Sequence, residues 1–289
     1  MILRGCGTAL ATPFRDGKVD FEAYSNMVRR QVEAGLDFLV PLGSTAETPC
    51  LEDDEKVELL RITRELCPDK PVVVGVGTNS PAATIRNIRL LEPLGPDAYL
   101  VVVPYYNKPT QEGIYRYFAH IAAATSKGIV AYNVPGRTGT NMKAATTLRV
   151  ATIPNVIAVK EASGDLAQVK EVIDGRPEGF SVLSGNDDQT LQIISDGGDG
   201  VISVASNIAP AIMEEFVSVA LGGDLSKAAG LHEKLMPLFD GCFVESNPIP
   251  VKAGLSMLGL CTPEMRLPLT EAVPSTFDAM KPILEDLGL

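Results

Sequence analysis

Short apolar, β-branched runs alternate with amphipathic stretches of helical period along most of this chain, and that alternation limits the fold more than any other feature. The runs are Gly7 to Ala11, Phe38 to Leu42, Val72 to Val76, Tyr99 to Val103, Ile129 to Asn133, Val156 to Lys160, Ser181 to Leu183 and Val201 to Val204, eight candidate strands in all. Between them, Phe21 to Ala34, Asp53 to Leu66, Pro81 to Leu94 and Gln111 to Ala124 carry apolar residues at helical spacing. A strand recurs about every 20 to 36 residues, the spacing of βαβ units. Parallel strands joined by right-handed crossovers close most naturally into a (β/α)8 barrel, an α/β fold, with a doubly wound sheet as the rival. A length of 289 residues suits one such barrel with an appendage. After the last strand the pattern turns all-helical over Pro210 to Leu221, Leu225 to Phe239, Pro248 to Leu258 and Ser275 to Leu287, with Gly222-Gly223 as a break. Residues 1–223 are therefore read as the barrel and 224–289 as a C-terminal helical extension.

Charge narrows the partners. A formal net charge of -11 argues against nucleic acid and anionic membrane, so an anionic ligand must be held by local donors. Five dispersed cysteines without a C-x-x-C pair suit a reducing cytoplasm and no zinc site. No apolar run approaches the roughly 20 residues needed to span a bilayer, and the start lacks a signal-peptide core, so the expected location is the cytoplasm.

In a barrel the chemistry sits where strands end. The run Val156 to Lys160 ends in a lysine, and a period of two places Val156, Ala158 and Lys160 on one face. A lysine desolvated among apolar neighbours loses part of its basicity, and the neutral amine attacks carbonyls to form a Schiff base. Such a lysine can equally snorkel or pair with a carboxylate. Tyr132 closes the preceding strand on the face of Val130 and can pass protons. The loop Gly43-Ser44-Thr45-Ala46-Glu47-Thr48 offers hydroxyls and backbone N–H groups to a carboxylate, and Arg137 offers a guanidinium for bidentate binding. Tyr132, and Tyr105-Tyr106 after the fourth strand, could each instead be packing aromatics, and Arg137 a surface ion-pair partner.

Gly75-Val76-Gly77-Thr78 lacks the third glycine of a dinucleotide loop. His120 and His232 lie in helical stretches without companion ligands, and Asp187-Asp188 and Asp196 to Gly200 lack calcium-loop spacing. Schiff-base chemistry needs no metal or cofactor, and none is expected.

Four loops together resemble a known family: Gly43-Ser44-Thr45-Ala46-Glu47, Tyr132-Asn133-Val134-Pro135-Gly136-Arg137-Thr138-Gly139, Val159-Lys160-Glu161-Ala162-Ser163-Gly164-Asp165 and Ser184-Gly185-Asn186-Asp187. They resemble, in order and over essentially the whole chain, the signatures of the dihydrodipicolinate synthase family. The resemblance sits within a superfamily that includes N-acetylneuraminate lyase and sugar-acid aldolases. It implies a lyase in which Lys160 forms a Schiff base with pyruvate and Tyr132 is the general acid/base. It also implies a proton relay through Ser44 and Tyr106, the latter lent by a neighbouring subunit. Thr45 with Ser44 would hold the pyruvate carboxylate, Arg137 the carboxylate of L-aspartate 4-semialdehyde, and Gly185 and Ile202 would complete the substrate site. The implied pathway is lysine and diaminopimelate biosynthesis, and the implied assembly a homotetramer built as a dimer of dimers. Ser44 stands where the family has threonine. Ala46 stands where it usually has glycine, which matters if that position needs a positive φ. Another pyruvate-dependent aldolase or lyase, and a barrel that binds without catalysing, remain as alternatives.

Overall fold

The computed structural model describes residues 2–289. Ten strands form: β1 Gly5–Ala9, β2 Phe14–Arg15, β3 Lys18–Val19, β4 Phe38–Val40, β5 Val73–Gly75, β6 Ala98–Val102, β7 Gly128–Asn133, β8 Val156–Glu161, β9 Ser181–Ser184 and β10 Gly200–Ser203. Eight of them make one parallel sheet in the order β4-β1-β10-β9-β8-β7-β6-β5, while β2 and β3 pair as a separate hairpin that the sequence pattern did not signal. The sheet closes into a (β/α)8 barrel through a bridge between Leu39 and Val72, supported by Leu39 N–H to Pro71 O at 3.0 Å and Gly75 N–H to Pro41 O at 2.9 Å. At this seam Gly75 is obligatory, because a Cβ there would lie 1.8 Å from the Leu42 carbonyl oxygen.

The crossover helices begin where side chains accept their free N–H groups. Asp20, Ser80, Thr110 and Asp165 cap the helices Phe21–Glu33, Pro81–Leu91, Gln111–Ala122 and Leu166–Gly175 in this way. Glu52 and Glu55 form a capping box at the start of Asp53–Leu66. Alternation along the strands divides the core in two. Phe38, Val40, Val73, Leu100, Val130, Ala158, Leu183 and Ile202 fill the barrel, whereas Leu39, Val74, Val101, Ala131, Val159 and Val182 pack outward against the helices.

One facing differs from expectation. Val156 belongs to the outer layer and Ile157 lies against the inner one, because the β7–β8 pairing steps from Ile129–Val156 to Val130–Ala158 and skips a residue. A bulge of this kind re-aims the strand beyond it, and Ala158 and Lys160 both point inward after it.

Beyond β10 the chain is helical over Pro210–Leu221, Leu225–Gly241, Ile249–Met257 and Pro274–Leu287, with Asp224 as the side-chain cap of the second. The segment after Gly241 returns over the carboxyl ends of the strands. There Lys252 meets Glu47 at 2.9 Å, both fully buried, and Arg266 reaches Glu55 at 2.6 Å. No helix of the described residues is long and apolar enough to cross a membrane.

Candidate active site

Lys160 is the fifth residue of β8 and is 3 % exposed. Its register partner on β7 is Tyr132, and the Lys160 Nζ lies over the Tyr132 ring, 4.5 Å from its centre. Burial is the main force on the amine and lowers its pKa to about 8; the nearby Asp187 carboxylate opposes that shift and Arg137 adds to it. Burial likewise raises the Tyr132 phenol, against the smaller opposing effects of Arg137 and of the neighbouring Ser44 hydroxyl. The pair thus combines an amine partly neutral near physiological pH with a phenol that holds its proton. Gly185 explains how the lysine fits, since a Cβ at that position would stand 3.1 Å from Lys160 Cε and 2.8 Å from the Ala162 Cβ.

Tyr132 lines a cavity of about 440 Å3, whose wall also includes Ser44, Tyr105, Val134, Arg137 and Thr138, while Lys160 lies behind the phenol and outside that wall. Ser44 and Thr45 lie in a single 3-10 turn after β4; Ser44 faces the cavity, and Thr45 is buried with its hydroxyl accepting from Asn247 Nδ2 at 3.0 Å. Ala46 is not in the left-handed region; Leu42 and Glu47, with φ of 58° and 54°, carry those conformations on either side. The alanine therefore needs no adjustment of the loop. Arg137 sits in a one-turn helix directly after β7 and donates from Nη2 to the Asn247 carbonyl oxygen at 3.0 Å. Ile202 is fully buried in the inner layer, on the strand beside β9.

Tyr106 is the expected residue that the chain does not bring to the site. Its backbone is left-handed, with φ of 70°, and its side chain is 86 % exposed. Tyr105 lines the cavity in its place.

Two residues at the site have no role assigned from the sequence. Asn247 joins Thr45 to Arg137 across 202 and 110 residues of chain, a link invisible to local pattern. Asp187 is fully buried; one carboxylate oxygen accepts from the N–H groups of Val204 at 3.0 Å and Ala205 at 2.9 Å, while the other is unpaired. It ends the run Ser184 to Asp187, but its place next to Lys160 arises only when β8 and β9 pair in the barrel. Among the described residues, no three His, Cys, Asp or Glu side chains converge in a way that could hold a metal ion.

A barrel with a buried amine at a strand end, faced by a phenol and opening to a cavity with an arginine at its rim, has the makings of carbonyl chemistry on lysine. The chain belongs to the dihydrodipicolinate synthetase family, whose model matches residues 2–287. It is 45 % identical over 293 residues to the 4-hydroxy-tetrahydrodipicolinate synthase of Thermotoga neapolitana, covering 100 % of both chains. The crystal structure of dihydrodipicolinate synthase from Thermotoga maritima superposes with a TM-score of 0.98 at 44 % identity, covering 100 % of this chain and 99 % of the other. A monomeric dihydrodipicolinate synthase variant matches with a TM-score of 0.98 at 45 % identity, over 99 % of this chain and 97 % of the variant.

Proposed function

We propose that this chain condenses pyruvate with L-aspartate 4-semialdehyde to give 4-hydroxy-tetrahydrodipicolinate and water, with Lys160 as the Schiff-base nucleophile. The observation that carries the reading is the buried Lys160 amine over the Tyr132 ring, in a chain of this family. With a pKa of about 8, roughly a tenth of the Lys160 amine is neutral at pH 7. Attack of Nζ on C2 of pyruvate forms the C–N bond, and the carbonyl oxygen departs as water. The resulting imine loses a proton from C3 to become an enamine, and that carbon attacks the aldehyde carbon while the aldehyde oxygen takes up a proton. The amino group of the semialdehyde portion then attacks C2, closing the ring and returning Lys160 as the free amine. One water is released overall.

Tyr132 is the acid/base for these transfers, standing against the amine with its proton retained by burial. Ser44 extends the proton path from Tyr132 into the cavity, and Tyr106 of a neighbouring copy completes it. Thr45, together with Ser44, receives the pyruvate carboxylate. Arg137 receives the carboxylate of the semialdehyde in a geometry suited to a bidentate pair. Gly185 and Ile202 shape the floor. The assembly is a homotetramer, a dimer of dimers, acting in lysine and diaminopimelate biosynthesis in the cytoplasm.

Turnover of freshly prepared semialdehyde with pyruvate, coupled to a reductase that consumes the cyclic product, tests the reading. Wild-type protein should turn over, and borohydride should fix one pyruvate on Lys160, detected as a mass increment on the peptide containing it. Lys160→Ala should lose the adduct and fall below about a thousandth of wild-type turnover. A folded wild-type protein that traps pyruvate but ignores verified semialdehyde would shift the assignment to a sugar-acid aldolase or lyase.

A further inference from the structure

The residues immediately after the reacting pair are also bonded to each other. Alternation turns Asn133 and Glu161 to the outside of the barrel, where each is 0 % exposed. Asn133 Nδ2 donates to both Glu161 carboxylate oxygens, at 3.0 and 3.2 Å. Glu161 also accepts from Ser163 N–H at 2.8 Å and Gln168 Nε2 at 3.4 Å. The amide oxygen of Asn133 accepts from Met142 N–H at 2.9 Å, and its Nδ2 reaches Asn141 Oδ1 at 2.8 Å. Among the described residues every donor to the carboxylate is neutral, and no Lys or Arg pairs with it.

Stability alone gives little reason for such a group. The neighbouring outward positions Ala131 and Val159 are apolar, as strand-to-helix packing favours. A buried carboxylate satisfied only by neutral donors gains no Coulomb attraction to offset its desolvation, and burial indeed raises the Glu161 pKa. The location supplies the reason. Asn133 and Glu161 are the last register partners of β7 and β8, one step past Tyr132 and Lys160 and on the far side of the bulge that drops Ile157 from the pairing. A bulge loosens register, and a one-residue slip displaces a strand by about 3.3 Å and exchanges its faces.

We propose that Asn133 and Glu161 are positioning residues whose side-chain bond locks the register of β7 on β8 beyond the bulge, thereby holding the Tyr132 phenol against the Lys160 amine. This rests on the roles given to Lys160 and Tyr132 above. The two strands present the reacting pair inward and the clamp outward at adjacent rungs, so distortion of one is transmitted to the other through the backbone alone.

Reversing the bond tests it. Glu161→Gln turns one of the two accepting oxygens into a donor facing Asn133 Nδ2, and Asn133→Asp turns the donating amide into an acceptor, each with little change in volume; the double variant restores a matched bond with donor and acceptor exchanged. For each, the melting temperature, the steady-state constants and the single-turnover rate of borohydride-trappable imine per folded molecule are measured. The single variants should lose about 10- to 100-fold in kcat and imine rate, the scale of an ångström-sized misplacement, with KM for pyruvate within about threefold of wild type. The double variant should return to within about threefold of the wild-type rate. Single variants that react at the wild-type rate when folded, or a folded double variant no faster than the singles, would overturn the clamp. If Asn133→Asp does not fold, Glu161→Gln against the double variant decides alone. Wild-type protein that traps pyruvate but does not use the semialdehyde fails the functional reading while leaving the imine rate to judge the clamp; wild-type protein that traps no pyruvate overturns both.

Discussion

Lys160 sets the pH behaviour expected of the site. Its folded pKa, about 8, lies below that of a free lysine because burial disfavours the ammonium. In the proposed reaction only the neutral amine attacks pyruvate, so imine formation should rise about tenfold per pH unit below 8 and level off above it. Rapid-quench borohydride trapping across pH 6 to 9.5 gives this limb directly; a rate independent of pH below about 7.5 would contradict an amine of that acidity. In the proposed reaction Arg137 is assigned to the other substrate. Its guanidinium lines the cavity, donates to the Asn247 carbonyl at 3.0 Å, and is the smallest of the three influences on the buried amine. Arg137→Ala should therefore leave pyruvate trapping nearly unchanged. It should raise KM for the semialdehyde or lower kcat/KM by roughly 10- to 150-fold, the loss of one charged hydrogen-bonding partner worth about 1.5–3 kcal/mol. Equal losses in trapping and in turnover would place the arginine in the imine step instead.

Among elements, the contact between the turn after β4 and the helix Ile249–Met257 has the most to lose from a single change. Lys252 and Glu47 meet at 2.9 Å with both side chains fully buried, and Glu47 also accepts the Arg266 N–H at 3.1 Å. The Lys252 ammonium rests 4.1 Å from the centre of the Phe14 ring. Lys252→Met would leave a buried carboxylate without its cation, at a cost of about 3–5 kcal/mol. Thermal unfolding should show a midpoint lower by on the order of 10 °C, and Lys252→Met with Glu47→Gln should recover much of it. A Lys252→Met midpoint within a degree or two of wild type would show that the pair contributes little. This contact also marks how far sequence pattern reaches. The helices Asp53–Leu66 and Pro210–Leu221 fall where their periodicity places them, because helical period and starting signals are local. The strand β4 is three residues long where the pattern predicts five, since Pro41 has no N–H for the ladder and Leu42 turns left-handed at φ 58°. The hairpin of β2 and β3 has two residues per strand, too few for alternation to register. The placement of Lys160 and Tyr132 at inward strand ends, and of Arg137 just beyond β7, is legible because it follows from local alternation and chain order. That of Asn247, Asp187 and Lys252 is not, because their partners are distant in sequence and near only after the barrel closes.

At the scale of the whole molecule, Tyr106 separates the reading of one chain from that of an assembly. Within the chain its ring is 86 % exposed on a left-handed residue, a conformation that costs free energy and that local contacts do little to repay, beyond a 3.3 Å bond from its N–H to Thr138 O. An exposed aromatic next to the cavity-lining Tyr105 gains a role if it enters the cavity of a second copy, where its hydroxyl can join Tyr132 and Ser44. The arrangement predicts complementation between two defective subunits. Lys160→Ala removes the nucleophile from its own site but still lends Tyr106; Tyr106→Phe keeps the nucleophile but lends no hydroxyl. Either variant alone should be slow, by about 10- to 100-fold for Tyr106→Phe if the hydroxyl relays protons. In mixed pairs the site with an intact Lys160 receives an intact Tyr106, so co-refolded mixtures should recover activity toward a quarter of wild type for random equal pairing, since half of the pairs are mixed and each holds one complete site. Activity equal to the plain average of the two homomeric variants would mean that Tyr106 serves its own subunit, or no site at all.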